Sequence, residues 1–242
     1  MTTDTRLGPT VEDYQRAFDL ERQQEYPTVD GFEVRMGYAL DRELLEDAAK
    51  VLACPLKVHP PNWQHGRVLY AAARRYLSYS KDEGPFTLLD IGTAKGFSAL
   101  CLAWAIRDAG VEGHVATVDV IDPHGRIYRN TVADLDGLKT LEELLHPWAS
   151  SSKIEASKMT GVRWLETHRE RVHVAFVDGK HKGSVVEEEG RLLAARQEAG
   201  DLVIFDDVHL PDVLGAVERI EEYFTEVIQV LPNRAYAVGL RL

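Results

Sequence analysis

Glu226-Val-Ile-Gln-Val-Leu-Pro-Asn-Arg-Ala-Tyr-Ala-Val-Gly-Leu240 settles the fold class of this 242-residue chain. Two strand-like runs, Glu226–Leu231 and Tyr236–Leu240, are joined only by Pro232–Ala235. A parallel crossover needs a dozen or more residues, so this pair is expected to be an antiparallel hairpin. Upstream, apolar runs at Thr87–Ile91, His114–Val120, Lys153–Ala156, Val172–Val177 and Asp201–Phe205 alternate with helical patterns. The helices are expected from Phe97 to about Asp108 and over Thr131–Trp148, Val162–Arg171, Glu187–Glu198 and Val213–Phe224. Such alternation predicts right-handed βαβ units and a parallel sheet. The runs are nearly continuous in apolar residues, as strands covered on both faces are. The expected architecture is a doubly wound, Rossmann-like α/β domain, whose mainly parallel seven-stranded sheet is closed by the C-terminal antiparallel hairpin. A dinucleotide dehydrogenase does not ordinarily end this way.

Residues 1–40 are polar and punctuated by Gly8-Pro9, Pro27 and Asp30-Gly31. They read as an arm with one short helix near Val11–Glu21. Asp41–Leu52 is expected to be helical, capped by Asp41. Val58-His-Pro-Pro-Asn-Trp-Gln-His-Gly66 reads as a loop, because Pro60 and Pro61 cannot continue a helix. Arg67–Tyr79 is a further helix. The division is thus 1–80, an arm and helices serving as a lid, and 81–242, the catalytic domain.

The composition is that of an ordinary globular chain, with 45% hydrophobic and 28% charged residues. The net charge of -11 repels phosphate backbones and argues against a nucleic-acid substrate. The densest basic pair, Arg74-Arg75, reads as a solvated helix face. Cys54 and Cys101 form neither a disulfide framework nor a zinc motif, and Cys101 reads as a core residue. The N-terminus lacks the apolar stretch of a signal peptide, and no apolar run approaches bilayer-spanning length. The expectation is a cytoplasmic protein without membrane partners. Oligomerisation is open: Phe18, Tyr26 and Phe32 of the arm could swap onto a neighbour or fold back on their own domain.

The first strand runs into Asp90-Ile-Gly-Thr-Ala-Lys-Gly-Phe-Ser98, a glycine loop opening a helix whose free N–H groups and positive dipole end can hold an anion. Dinucleotide sites carry G-x-G-x-x-G, but position 94 is Ala, leaving acidic-x-Gly-x-x-x-Gly. This resembles the first motif of class I S-adenosylmethionine-dependent methyltransferases. The resemblance implies that Gly92 and Gly96 form the cofactor loop, that Asp90 supports the cofactor's amino end and that Ser98 binds its methionine carboxylate. Asp119, ending the second strand, can accept two hydrogen bonds from ribose hydroxyls. Ser157, after the third strand, is a candidate adenine-side contact. Gln64-His-Gly66 resembles a polar turn of catechol-type O-methyltransferases, which makes Gly66 a candidate cofactor contact.

Ligands of open α/β sheets bind beyond the carboxyl ends of the strands. Asp178 lies there after the fourth strand, Asp206 and Asp207 after the fifth. Adjacent strands would bring these carboxylates together, and like charges that close need a counter-ion or a proton. Oxygen ligands suit Mg²⁺, Mn²⁺ or Ca²⁺. Phe176-Val-Asp-Gly-Lys-His181 and Val203-Ile-Phe-Asp-Asp-Val-His209 are similar to the metal site of divalent-cation-dependent O-methyltransferases. These include catechol and caffeoyl-CoA enzymes and macrolide-sugar enzymes related to cephalosporin hydroxylase. The resemblance runs from about Gly66 to the C-terminus. It implies His181 as general base, with His209 as its rival, and methyl transfer to a hydroxyl of a small molecule such as a natural-product sugar or a catechol-like diol. Lys180 and Lys182 are expected to be solvated and His173 structural. Ile121–Thr131 is expected to be a flexible lid. The alternatives are a metal-independent methyltransferase and a non-catalytic S-adenosylmethionine-binding protein.

Overall fold

The computed structural model describes residues 10–54, 61–130, 134–149 and 153–242. Nine strands and nine helices lie among them, in the order α1 (Val11–Arg22), α2 (Pro27–Met36), α3 (Arg42–Leu52), α4 (Gln64–Tyr79), β1 (Phe86–Ile91), α5 (Phe97–Ala109), β2 (Gly113–Asp119), β3 (Tyr128–Asn130), β4 (Asp134–Lys139), α6 (Leu141–Ala149), β5 (Ile154–Lys158), α7 (Gly161–Thr167), β6 (Val174–Val177), α8 (Gly183–Ala194), β7 (Leu202–Phe205), α9 (Pro211–Glu218), β8 (Tyr223–Leu231) and β9 (Arg234–Arg241). The main sheet has seven strands in the order β5-β2-β1-β6-β7-β9-β8. β5, β2, β1, β6 and β7 pair in parallel, whereas β9 is antiparallel to both β7 and β8. The expected seven-stranded sheet with its C-terminal hairpin is what forms.

Alternation along each strand divides the core in two. Leu88, Val115, Val174 and Phe176 face α4, α5 and the N-terminal helices, while Leu89, Ala116, Ala175 and Val177 face α7, α8 and α9. The arm folds back on its own chain: Phe18, Tyr26 and Phe32 are buried in the first of these layers, with Phe18 stacked on Trp63 at 5.1 Å. Cys101 is a buried core residue.

Several boundaries differ from expectation, each for a local reason. Pro27 opens α2 instead of breaking the chain, since Pro is compatible with the first helical turn. Gly37, at φ 78°, closes that helix. Arg67, fully buried on α4, fixes α2 by donating from Nε to Glu33 at 2.9 Å, from Nη2 to Asp30 and Glu33, and from Nη1 to Gln64 at 2.9 Å. α4 starts at Gln64 and not at Arg67, because the Asn62 side chain accepts the Gln64 N–H at 2.9 Å. The helix expected over Thr131–Trp148 is confined to α6. Thr140 and Glu143 cap its start reciprocally, and β3 and β4 form a small antiparallel pair before it. α7 ends at Thr167. α8 starts four residues before the expected Glu187, where Asp212 accepts the Gly183 N–H at 2.7 Å. α9 occupies Pro211–Glu218, so β8 already begins at Tyr223. Gly66 lets α4 approach α5: a Cβ there would lie 2.7 Å from the Phe97 ring and 2.8 Å from Cys101 Sγ.

Candidate active site

β1 delivers its C-terminal end to the glycine loop. Gly92 has φ 106°, and a Cβ on it would stand 2.2 Å from the Asp178 carbonyl oxygen. Gly96, at φ 80°, starts α5 without a side-chain cap, so the first N–H groups of that helix remain available to an anion. Ser98 lies in that first turn and lines a cleft of about 1050 Å³ that also reaches Gly92, Thr93 and Lys95. Asp90 is fully buried. Its Oδ2 accepts the Thr117 hydroxyl at 2.6 Å, and Ser98 is a second hydrogen-bonding neighbour. Burial pushes its carboxyl up to about 7, with Thr117 opposing. Asp119 accepts the N–H groups of Ala94 and Ile121, both at 2.9 Å, and thereby ties the loop to the end of β2.

The second half of the site stands across the β6–β7 boundary. These strands pair with Val177 opposite Phe205, which places Asp178 and Asp206 side by side. Asp207, with a left-handed φ of 54°, turns its side chain to His181, and the two meet at 3.0 Å (Oδ2 to Nδ1). Asp178, His181 and Asp207 offer ligand atoms within 4.8 Å of one another, a group that could hold a metal ion. Asp206 sits behind it, its Oδ1 accepting the Asp207 N–H at 2.6 Å. Burial and the neighbouring carboxylates hold Asp178 well above its usual range and push Asp206 up to about 7. Burial also raises Asp207, but the His181 hydrogen bond and nearby positive charge outweigh it, and the net shift is downward. His209 Nδ1 is 3.7 Å from Asp207 Oδ1.

Of the residues singled out in the sequence, Gly92, Ser98, Asp178, Asp206, Asp207 and His209 line this cleft, whereas Asp90, Gly96 and Asp119 are not among its lining residues. His181 touches it through Asp207. Gly66 is not among the lining residues; it serves the α4–α5 contact. Ser157 pairs with Val118 on β5 and is likewise outside the lining. His173 is structural, accepting the Thr87 N–H at 3.1 Å, and Lys180 and Lys182 are exposed. Arg74 and Arg75 lie over the rings of Tyr38 and Tyr79. In the segment expected as a lid, Leu141 donates to the Pro123 carbonyl at 2.9 Å; Thr131 lies outside the described residues.

The structure adds residues the sequence reading missed. Arg234, at the start of β9, lies 3.7 Å from Asp206 and 3.6 Å from Asp207. His65 lines the cleft from α4, stacked parallel to Phe176, and burial together with Arg234 pushes its imidazole down to about 3. Glu21, Tyr26 and Asn62 close the cleft from the arm side. No linear signal marks Arg234 or Glu21, because the hairpin and the arm reach the site only through the folded sheet; His65 lies in the Gln64–Gly66 stretch, of which the sequence reading singles out only Gly66.

Residues 89–208 match a family described as a methyltransferase domain. This chain carries a methyltransferase domain. No curated protein gives a significant sequence match. Among solved structures, this methyltransferase resembles the O-methyltransferase TomG of Streptomyces achromogenes, involved in tomaymycin synthesis and bound to S-adenosylmethionine, with TM-score 0.54, 17% identity, and 84% of this chain and 91% of that one covered. An O-methyltransferase of Bacillus cereus in complex with S-adenosylhomocysteine gives TM-score 0.54 and 14% identity over 96% of this chain and all of that one (100%). An rRNA methylase of Streptococcus thermophilus gives TM-score 0.51 and 14% identity, covering 71% of this chain and 95% of that one. At such identities the likeness establishes the fold and leaves the acceptor to be argued from the site. No described helix is long and apolar enough to cross a membrane.

Proposed function

We propose that the enzyme is a divalent-metal-assisted O-methyltransferase acting on a hydroxyl of a small molecule, with His181 as general base. The observation that carries this reading is the 3.0 Å contact of His181 Nδ1 with Asp207, beside Asp178 at the carboxyl ends of adjacent strands. With Nδ1 held by a carboxylate, Nε2 is the nitrogen that takes the acceptor's proton, and Asp207 stabilises the imidazolium that results. On the cofactor side, Gly92 and Gly96 shape the loop, Ser98 and the α5 N-terminus hold the methionine carboxylate, and Asp90 and Asp119 support that loop from behind. Glu21, Tyr26 and Asn62 cover the cleft from the N-terminal side.

The donor set fits a metal ion. Asp178 and Asp207 would hold it through carboxylate oxygens, leaving the His181 imidazole as base; burial first and crowded like charge second raise Asp178 and Asp206, and a cation would oppose both. A bound Mg²⁺ or Mn²⁺ would lower the pKa of a coordinated acceptor hydroxyl. A small acceptor is favoured over nucleic acid by the net charge of -11 and by the carboxylates in the cleft.

Arg234 supports a second reading. A guanidinium within 3.7 Å of both Asp206 and Asp207 can itself neutralise the cluster, so that the transfer proceeds without metal. Loss of the free Mn²⁺ paramagnetic resonance signal on adding protein saturated with S-adenosylhomocysteine separates the two. Binding by wild type and not by Asp207→Asn is expected. Absence of binding, together with full turnover in excess EDTA, would reject the metal and leave the Arg234 reading.

A further inference from the structure

The arm places a carboxylate in the cleft that no step of the methyl transfer uses. Glu21, on α1, is 6% exposed yet lines the cleft. The Tyr26 hydroxyl donates to Glu21 Oε1, and Asn62 Nδ2 lies 3.4 Å from the Tyr26 oxygen. These links fix the carboxylate without neutralising it. Burial raises its carboxyl, and the charge of Arg234 is near enough to oppose that shift. Arg234 also lies beside Asp206 and Asp207, and Glu21 lines the same cleft as these residues.

A fixed, water-poor carboxylate is a strong acceptor of hydrogen bonds from O–H or N–H donors and a strong repeller of anions. The charged groups lining the cleft are Glu21, Asp178, Asp206 and Asp207 against Arg234 and Lys95, an excess of carboxylates. Lys95 is turned away to the Val51 carbonyl at 3.1 Å, and Arg234 lies against the aspartates. Among the described residues, the two lining cations, Lys95 and Arg234, are thus both engaged by groups of the protein.

We propose that Glu21 is the residue that selects the acceptor: its carboxylate receives a second hydrogen-bond donor, hydroxyl or ammonium, carried by the acceptor away from the methylated oxygen. Acceptors with a carboxylate or phosphate at that position are excluded. This rests on the methyltransferase reading of the cleft and deepens it. Tyr26 and Asn62 act as positioning residues for Glu21.

The test uses the full chain with S-adenosylhomocysteine, whose binding to wild type is measured first by calorimetry. Failure there would fall on the cofactor reading, not on Glu21. Three matched 4-substituted catechols that differ only in the end group (2-ammonioethyl, 2-hydroxyethyl and carboxymethyl) are then titrated by saturation-transfer NMR. Wild type is expected to bind the ammonium and hydroxyl members at least about tenfold more tightly than the carboxylate. Glu21→Gln, which can still accept the Tyr26 hydrogen bond, is expected to narrow that ratio to about threefold or less at unchanged S-adenosylhomocysteine affinity. Tyr26→Phe should move it part of the way. The arms with ammonium and hydroxyl show which donor is preferred. Equal binding of all three, preference for the carboxylate, no binding of any at millimolar concentration, or a Glu21→Gln effect confined to S-adenosylhomocysteine would each overturn the assignment.

Discussion

His181 and Asp207 come from loops after different strands and meet at 3.0 Å because β6 and β7 are neighbours in register. If the imidazole takes the acceptor's proton, His181→Ala removes the base and Asp207→Asn removes the group that orients it. Both are expected to lower kcat by roughly 10²- to 10⁴-fold. His181→Ala should leave S-adenosylhomocysteine affinity within about twofold, measured by calorimetry; unchanged turnover would move the role to His209. The carboxylates and histidines of this cluster were legible because each follows an apolar strand in the sequence. Arg234 and Glu21 were not. Arg234 lies within the hairpin turn and Glu21 on an amphipathic arm helix, and their chemistry depends on contacts made across the whole chain. Gly66 shows the opposite case: a glycine in a motif-like turn whose use is the close crossing of two helices.

The hairpin and the parallel alternation were legible because connection length and strand period are local properties. Element ends were less so. α2 was hidden by Pro27 and Gly31, β3 is only three residues long and β4 is polar, and the start of α6 depends on the Thr140–Glu143 pair. The element on which the site depends most is the β1–α5 turn. Gly92 there combines φ 106° with a contact that leaves no room for a Cβ against the Asp178 carbonyl. Gly92→Ala must therefore strain the turn and push Asp178 away, disturbing the glycine loop and the carboxylate group together. A loss of about 3 kcal/mol or more in urea unfolding is expected, with weaker S-adenosylhomocysteine binding. A stable variant that binds the cofactor normally would show that the loop has slack the geometry denies.

Over the whole molecule, buried carboxyls that prefer their proton couple stability to pH. Glu189 is a case outside the proposed chemistry. It lies on α8 against Gly161, and burial, with Glu188 adding, pushes its carboxyl up to about 7 despite the Val162 N–H. Asp90 shifts the same way. For such a group the folded state binds the proton more tightly than the unfolded chain, whose carboxyl titrates near 4.5. Below the unfolded value both states are protonated and nothing is lost. As pH rises from there the unfolded state ionises first and stability falls, and above about 7 the loss is complete. The shift sets an upper bound of roughly 3 kcal/mol for Glu189 at alkaline pH. Glu189→Gln keeps an oxygen for Val162 and cannot ionise. It should therefore be more stable than wild type at pH about 8, by ~1–3 kcal/mol in urea unfolding, with the difference closing towards pH about 5. An advantage of the same size at both values would mean that Glu189 stays ionised in the fold, and that packing around α7 and α8, not proton linkage, sets the effect.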